Sequence, residues 1–325
     1  MTYPRPPTTL TGFLRPIRWA VFVNALLSAC GPMASAADLK VVVTIKPIHA
    51  LVAQVMGSTG TPELIVGGAA SPHSYTLKPS DIQKMAAATV VFRVSGQVEP
   101  FTTKAARTLP KSTLLVTLQQ APGVVTLPQR EGGPFEEHEH DHDGGGHANS
   151  EAEIDGHVWL DPANAVAMVD HIVSVLSSKS PENAAIYADN AAVARARLDA
   201  LSADLSRDLA GIGGRPYVVF HDAYQYFEKR FGLKVVGSIT VNPDVPPSGK
   251  RLAALRQKVS RLQATCVFGE PNFSAKVITS VIEGTDAKSG TLDPEGASLA
   301  AGPDLYDVLM RNLATALQQC LQPRV

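Results

Sequence analysis

Charge is scarce in this chain. Only 18% of its 325 residues are Asp, Glu, Lys or Arg, against about 25% in ordinary soluble proteins, and the formal net charge is -1. A surface without an excess of either sign offers nothing to nucleic acid or to an anionic membrane, so neither is expected as a partner. Long apolar runs are missing too: beyond the first 36 residues no stretch reaches the roughly 18 apolar residues that cross a bilayer. There are three cysteines and no C-x-x-C spacing, which speaks against a thiolate zinc site. No G-x-x-x-x-G-K-[ST] occurs, so no ATP site of the P-loop kind is present, and "GIGG" at 211–214 lacks the dinucleotide spacing and precedes a strand pattern.

What is present begins with an export signal. Arg5, Arg15 and Arg18 form a basic start, "WAVFVNALLSA" is an apolar stretch too short to span, and Ala34-Ser35-Ala36 is a small-residue cleavage site. Residues 1–36 are therefore expected to be removed and the protein to work in the periplasm. A competing reading takes "LSAC" as a lipoprotein signal, with Cys30 acylated as an anchor. Either way Cys266 and Cys320 remain. In an exported chain two such cysteines pair, closing a loop of 54 residues by position worth about 4 kcal/mol in lost chain entropy; two buried free thiols are the alternative.

Short β-branched runs recur at strand length. "LKVVVTI", "ELIVGG", "TVVFRV" and "TLLVTL" form one set, and "PYVVF", "LKVVGSI", "ATCVFGE" and "AKSGTLD" a second, with helical patterns between them. Continuous rather than alternating apolar residues indicate parallel strands covered on both faces. The expected fold is α/β: two similar lobes, each a mostly parallel four-stranded sheet flanked by helices, joined by one long rigid linker helix. The lobes are placed at 37–179 and 213–325 and the linker at 180–212. Ser180 is its expected N-cap, and Leu198, Leu201, Leu205 and Leu209 form its apolar stripe.

One tract stands apart. "EEHEHDHDGGGH" at 136–147 packs four histidines (His138, His140, His142, His147) and five carboxylates into twelve positions. It contains the H-E-x-x-H pattern of zinc proteases, which has chemical meaning only on a docked helix. Like charges, three glycines and no apolar stripe give such a helix nothing to hold it, so residues 131–155 are read as a solvated flexible loop binding metal ions loosely. Of the other histidines, His49 and His171 lie in helical patterns and are read as structural. His73 and His221 follow strand patterns, one in each lobe, as does Asp293, while His157 opens "HVWLDP". Ligands of open α/β sheets lie beyond the carboxyl ends of strands, and three imidazoles with one carboxylate suit tetrahedral Zn²⁺. Asp222 and Glu270 are candidates to orient the imidazoles; Tyr224, Tyr226 and Phe227 are expected to pack the lobe.

"GAASPHSYTLKPSD", "HVWLDP", "VVFHDAYQYFEKRFGL", "VNPDVPPSGKRL", "ATCVFGEPNF" and "GTLDPEG", in this order, resemble the cluster A-I metal-binding proteins of ABC transporters, most closely the zinc-uptake ZnuA family. The resemblance implies a monomeric, non-enzymatic protein that binds zinc and delivers it to a membrane permease served by a separate ATPase. It implies a metal held by His73, His157 and His221, a Cys266–Cys320 pair, and a mobile His-rich loop. Pro72 stands where some zinc members carry a glutamate, so Asp293 becomes the candidate fourth ligand, with water its substitute. His221 stands where manganese members carry a glutamate, and a third imidazole favours zinc. The rival readings are manganese or iron uptake, and a zinc hydrolase, which would need an open coordination position and a placed base.

Overall fold

The computed structural model describes residues 39–130, 133–134, 154–243, 245–271 and 273–322. The export segment with Cys30, and the tract with His138, His140, His142 and His147, lie outside the described residues.

Each β-branched run contains a strand. β1 (Val41–Val43), β2 (Glu63–Leu64), β3 (Val90–Arg93) and β4 (Leu114–Thr117) make a parallel sheet in the order β2-β1-β3-β4. Helices α1 (Lys46–Met56), α2 (Pro79–Ala87) and α3 (Pro100–Ala106) lie between them, each with a proline in its first turn, where the missing N–H costs nothing. The Asp81 carboxylate accepts the Lys78 N–H at 2.9 Å at the start of α2.

Ahead of the second sheet come the two-residue β5 (Gly133–Pro134), α4 (Pro162–Lys179) and α5 (Ala184–Leu209). β6 (Pro216–His221), β7 (Lys234–Thr240), β8 (Cys266–Gly269) and β9 (Lys288–Thr291) then run parallel, and the sheet order is β5-β7-β6-β8-β9. The four expected strands are joined by β5, which pairs antiparallel at the outer side of β7. A Gly-Pro pair has no strand signature, and proline is tolerated there because an edge strand can spare a donor. α6 (Gln225–Phe231), α7 (Gly249–Arg261), α8 (Ala275–Ile282) and α9 (Leu305–Leu321) complete the chain.

The linker helix differs from expectation at its start. Ser180 closes α4 through its backbone N–H to Leu176 O at 2.8 Å, and its hydroxyl engages Glu182 instead of capping a helical N–H. A short 3₁₀ turn, Pro181–Asn183, precedes the 26 residues of α5, about 39 Å of helix. Its leucine stripe is buried as expected, against α4 and α1 on one side and α9 on the other.

Strand alternation divides the core. Tyr217 and Val219 of β6 and Cys266 and Phe268 of β8 join a cluster that continues through α9, α5, α4 and α1 to the first sheet. Val218, Phe220 and Val267 face the other way, onto Leu255, Val259, Ile278 and Val281 of α7 and α8, as side chains of period two must. Cys266 and Cys320 form a disulfide that ties α9 to the second sheet across 54 positions.

An acid lies buried beyond the end of β3. Glu99 accepts the Val94 and Ser95 N–H groups at 2.8 and 2.9 Å and meets the Thr44 hydroxyl. Burial pushes its carboxyl from 4.5 up to about 7, against the pull of these hydrogen bonds and of Arg93. Thr44 Oγ1 also lies 3.2 Å from Phe92 O. A hydroxyl has one hydrogen, so a protonated Glu99 donating to Thr44 while Thr44 donates to Phe92 satisfies both contacts. Because the folded value is raised, this contribution to stability is complete below the unfolded value and is lost as pH rises through about 7. Urea melts are therefore expected to show Glu99→Gln gaining on the parent between pH 5 and 8, by on the order of 3 kcal/mol at the alkaline end; parallel curves would contradict the assignment.

Candidate metal centre

Three chain segments bring their histidines to one point. His73 sits in the turn-rich stretch after β2, His157 precedes the 3₁₀ turn Val158–Leu160 that leads into α4, and His221 is the last residue of β6. Ring centroids are 5.4 Å apart for His73 and His157, 4.9 Å for His73 and His221, and 4.8 Å for His157 and His221. One ring nitrogen from each lies within 4.8 Å of the other two. The Nε2 atoms of His73 and His157 are 3.3 Å apart, which equals the roughly 3.3 Å edge of a tetrahedron with metal–nitrogen bonds near 2.0–2.1 Å.

The hydrogen bonds decide which nitrogens are free. His157 Nδ1 lies 2.7 Å from Asp155 Oδ1, and the same oxygen accepts the His157 backbone N–H at 3.0 Å. Nδ1 therefore carries the proton and Nε2 offers a lone pair to the cluster. His221 Nδ1 faces Glu270 Oε1 at 3.6 Å, while His221 Nε2 is buried without a hydrogen-bond partner among the described residues. An orphaned nitrogen of this kind costs free energy unless something fills its lone pair. Burial, then mutual repulsion, holds His73 and His221 well below the ordinary imidazole value, so protons compete less for these nitrogens.

The carboxylates are arranged less simply. Glu270 accepts the Tyr224 hydroxyl at 3.3 Å, and burial pushes it up to about 8. Asp293 shares a small cavity with His221, Glu270 and Ser71, and its Oδ1 accepts the Glu295 N–H at 3.2 Å. Among the described residues the convergent group is the three histidines, and Asp293 is outside it.

Asp222 is placed differently from its expected role. Both its oxygens engage Arg130, which also binds Glu228 at 2.8 Å. The carboxylate that does meet an imidazole is Asp155, on His157 Nδ1. Reading residues 131–155 as one loose loop hid it: Asp155 is 5% exposed, and Tyr226 fixes it by donating to its carbonyl at 2.6 Å. The available signal was its place two residues before a histidine. Tyr224, Tyr226 and Phe227 are all buried, as expected. His49 is buried with Nε2 2.9 Å from Pro62 O, and His171 lies half-buried on α4.

Two side chains, Lys46 and Trp159, hold the Asp293 segment to the first lobe. Lys46 Nζ donates to the Gly296, Ala297 and Leu299 carbonyls at 3.0, 2.8 and 2.9 Å. Trp159 Nε1 donates to Pro294 O at 2.9 Å, and the Tyr306 hydroxyl donates to Trp159 O at 2.6 Å.

The family model described as the zinc-uptake complex component A, periplasmic (ZnuA), matches residues 41–320. The chain belongs to the ZnuA family. A high-affinity zinc uptake system protein ZnuA from Brucella abortus (strain 2308) is 42% identical over 319 residues, covering 91% of this chain and 96% of that protein. The ZnuA of Paracoccus denitrificans (strain Pd 1222) is 37% identical over 321 residues, covering 93% and 97%. A crystal structure of ZnuA superimposes with TM-score 0.73 at 22% identity, covering 88% of this chain and 100% of that one. Zn(II)-bound AdcA from Streptococcus pneumoniae gives 0.69 at 25% identity, covering 89% and 59%. The two-lobe fold is thus that of the ZnuA family.

If Asp155 sets the tautomer of His157, Asp155→Asn should weaken zinc binding by about 10–100-fold, the usual cost of losing a partner behind a ligand. Competition titration against a chromogenic chelator reads this directly, and unchanged affinity would remove Asp155 from the site.

Proposed function

We infer that this protein captures Zn²⁺ in the periplasm and delivers it to the membrane permease of an ABC transporter driven by a separate ATPase. The observation that carries the reading is the convergence of His73, His157 and His221 from three separate chain segments, in a chain of the ZnuA family. His73, His157 and His221 are the zinc ligands in this reading, and Asp293 or water completes the tetrahedron. Glu270, beside His221, and Asp155, beside His157, steady the imidazoles.

Three neutral imidazoles favour zinc over the harder manganese, which prefers carboxylate oxygens. Binding and release are the whole task, so the protein acts as a monomeric carrier and not as a hydrolase. Residues 136–147 serve as an auxiliary collector that binds zinc weakly through four histidines. The division into lobes at 37–179 and 213–325 around a linker at 180–212 belongs to the same proposal, as does removal of residues 1–36 or anchoring through Cys30.

Titration calorimetry with a competing chelator tests the ligand set. Single alanine substitutions at His73, His157 and His221 should each weaken zinc by more than about 100-fold, beyond what loss of an outer partner costs. Asp293→Ala should weaken it less, since water replaces a carboxylate. Deleting residues 136–147 should remove weak secondary sites and leave one tight site. Unaltered tight binding in His221→Ala would sink the three-histidine assignment and the preference for zinc over manganese.

A further inference from the structure

A second polar cavity opens at the carboxyl ends of β3 and β4. It has a volume of ≈ 450 Å³, and its walls include Arg93, Ser95, Thr103, Thr117, Gln119 and Ile154, none of them a histidine of the cluster. The size is that of a small-molecule site, and the position is where α/β sheets take ligands.

Among the described residues its one charged wall residue is an arginine. Arg93, the last residue of β3, donates from Nε to Thr117 Oγ1 at 2.9 Å and from Nη1 to Thr102 Oγ1 at 2.8 Å. Two hydroxyls fix the plane of the guanidinium without neutralising it. Glu99, the acid whose field reaches Arg93, spends its oxygens on Val94, Ser95 and Thr44, and its own charge is suppressed by burial. Among the described residues Arg93 forms no ion pair with a carboxylate.

Gln119 is 8% exposed, and its Nε2 has no hydrogen-bond partner among the described residues. Ser95 Oγ accepts the Val98 N–H at 3.3 Å, leaving its own hydrogen available to donate. Glycine keeps the space open: a Cβ on Gly96 would come within 2.8 Å of Thr103 Oγ1. A cation would meet the arginine here, and an apolar guest would leave a guanidinium and an amide without partners, each at a cost.

We propose that this cavity binds a small oxyanion, either a carboxylate or an inorganic oxyanion, through the Arg93 guanidinium with Gln119 and Ser95 as neutral donors. Its planar fork matches such a group, and the site is separate from the zinc ligands.

The test uses the full chain, stripped of metal and desalted into Tris chloride of low ionic strength. Sodium succinate and sodium phosphate are titrated separately by calorimetry into the parent, Arg93→Gln and Gln119→Leu, and zinc titrations on each variant establish that it folds. One-site saturation by at least one anion is expected, weakened by about 10–100-fold in Arg93→Gln and less in Gln119→Leu, with zinc affinity unchanged. Saturation by succinate alone assigns a carboxylate ligand, and by phosphate alone an inorganic one. No saturable binding of either anion, or undiminished binding in a folded Arg93→Gln, overturns the proposal; should Arg93→Gln fail to fold, Gln119→Leu decides by the same criterion.

Discussion

The placement of the histidines depends on one continuous apolar core. It starts on the first sheet, runs through α1, α4, α5 and α9, and ends on the inner face of the second sheet. Because the two sheets share it, the distance between their strand ends is fixed by close packing and not by a flexible joint. A residue such as His221 at the end of β6 can then meet His73 after β2 without loops being ordered at the moment of binding. The disulfide holds α9 to β8, and the Lys46 contacts hold α1 to the carbonyls of Gly296, Ala297 and Leu299. They reinforce a contact that burial has already made.

Burial also shapes the electrostatics. Glu99 and Glu228 are buried and Glu270 half-buried, and burial pushes them up to about 7, 7 and 8. Each is met by a specific partner: backbone N–H groups, Arg130, or Tyr224 with His221 nearby. In the same low-dielectric surroundings His73 and His221 stay neutral. The buried imidazoles of His73 and His221 can be polarised by an arriving divalent cation, which supplies the charge that the interior otherwise resists.

Much of this was legible in the sequence, for physical reasons that differ by element. Strands showed because valine and isoleucine runs have few other uses, and His73, His157 and His221 stood out because each followed a strand or opened a motif. Asp222 misled because chain adjacency to His221 is not spatial adjacency: β6 ends at His221 and Asp222 lies in the turn that follows, where its carboxylate meets Arg130. Asp155 was hidden at the margin of a charged tract whose composition says nothing of where order resumes. The packing of α9 on α1 and α5 is invisible to periodicity, which reports that a helix has an apolar face and not which surface covers it. The Arg93 cavity joins residues from several segments, none of them unusual alone.

α5 carries a mechanical consequence. Its 26 residues, Ala184–Leu209, include neither proline nor glycine, the residues at which helices ordinarily kink, and its stripe is held on both sides by the core. A helix with no weak point resists bending, so α1, α4 and α9, which pack on it, share one stiff support. Residues 67–78, which carry His73, are largely exposed or half-buried, so His73 is the least enclosed of the three clustered histidines.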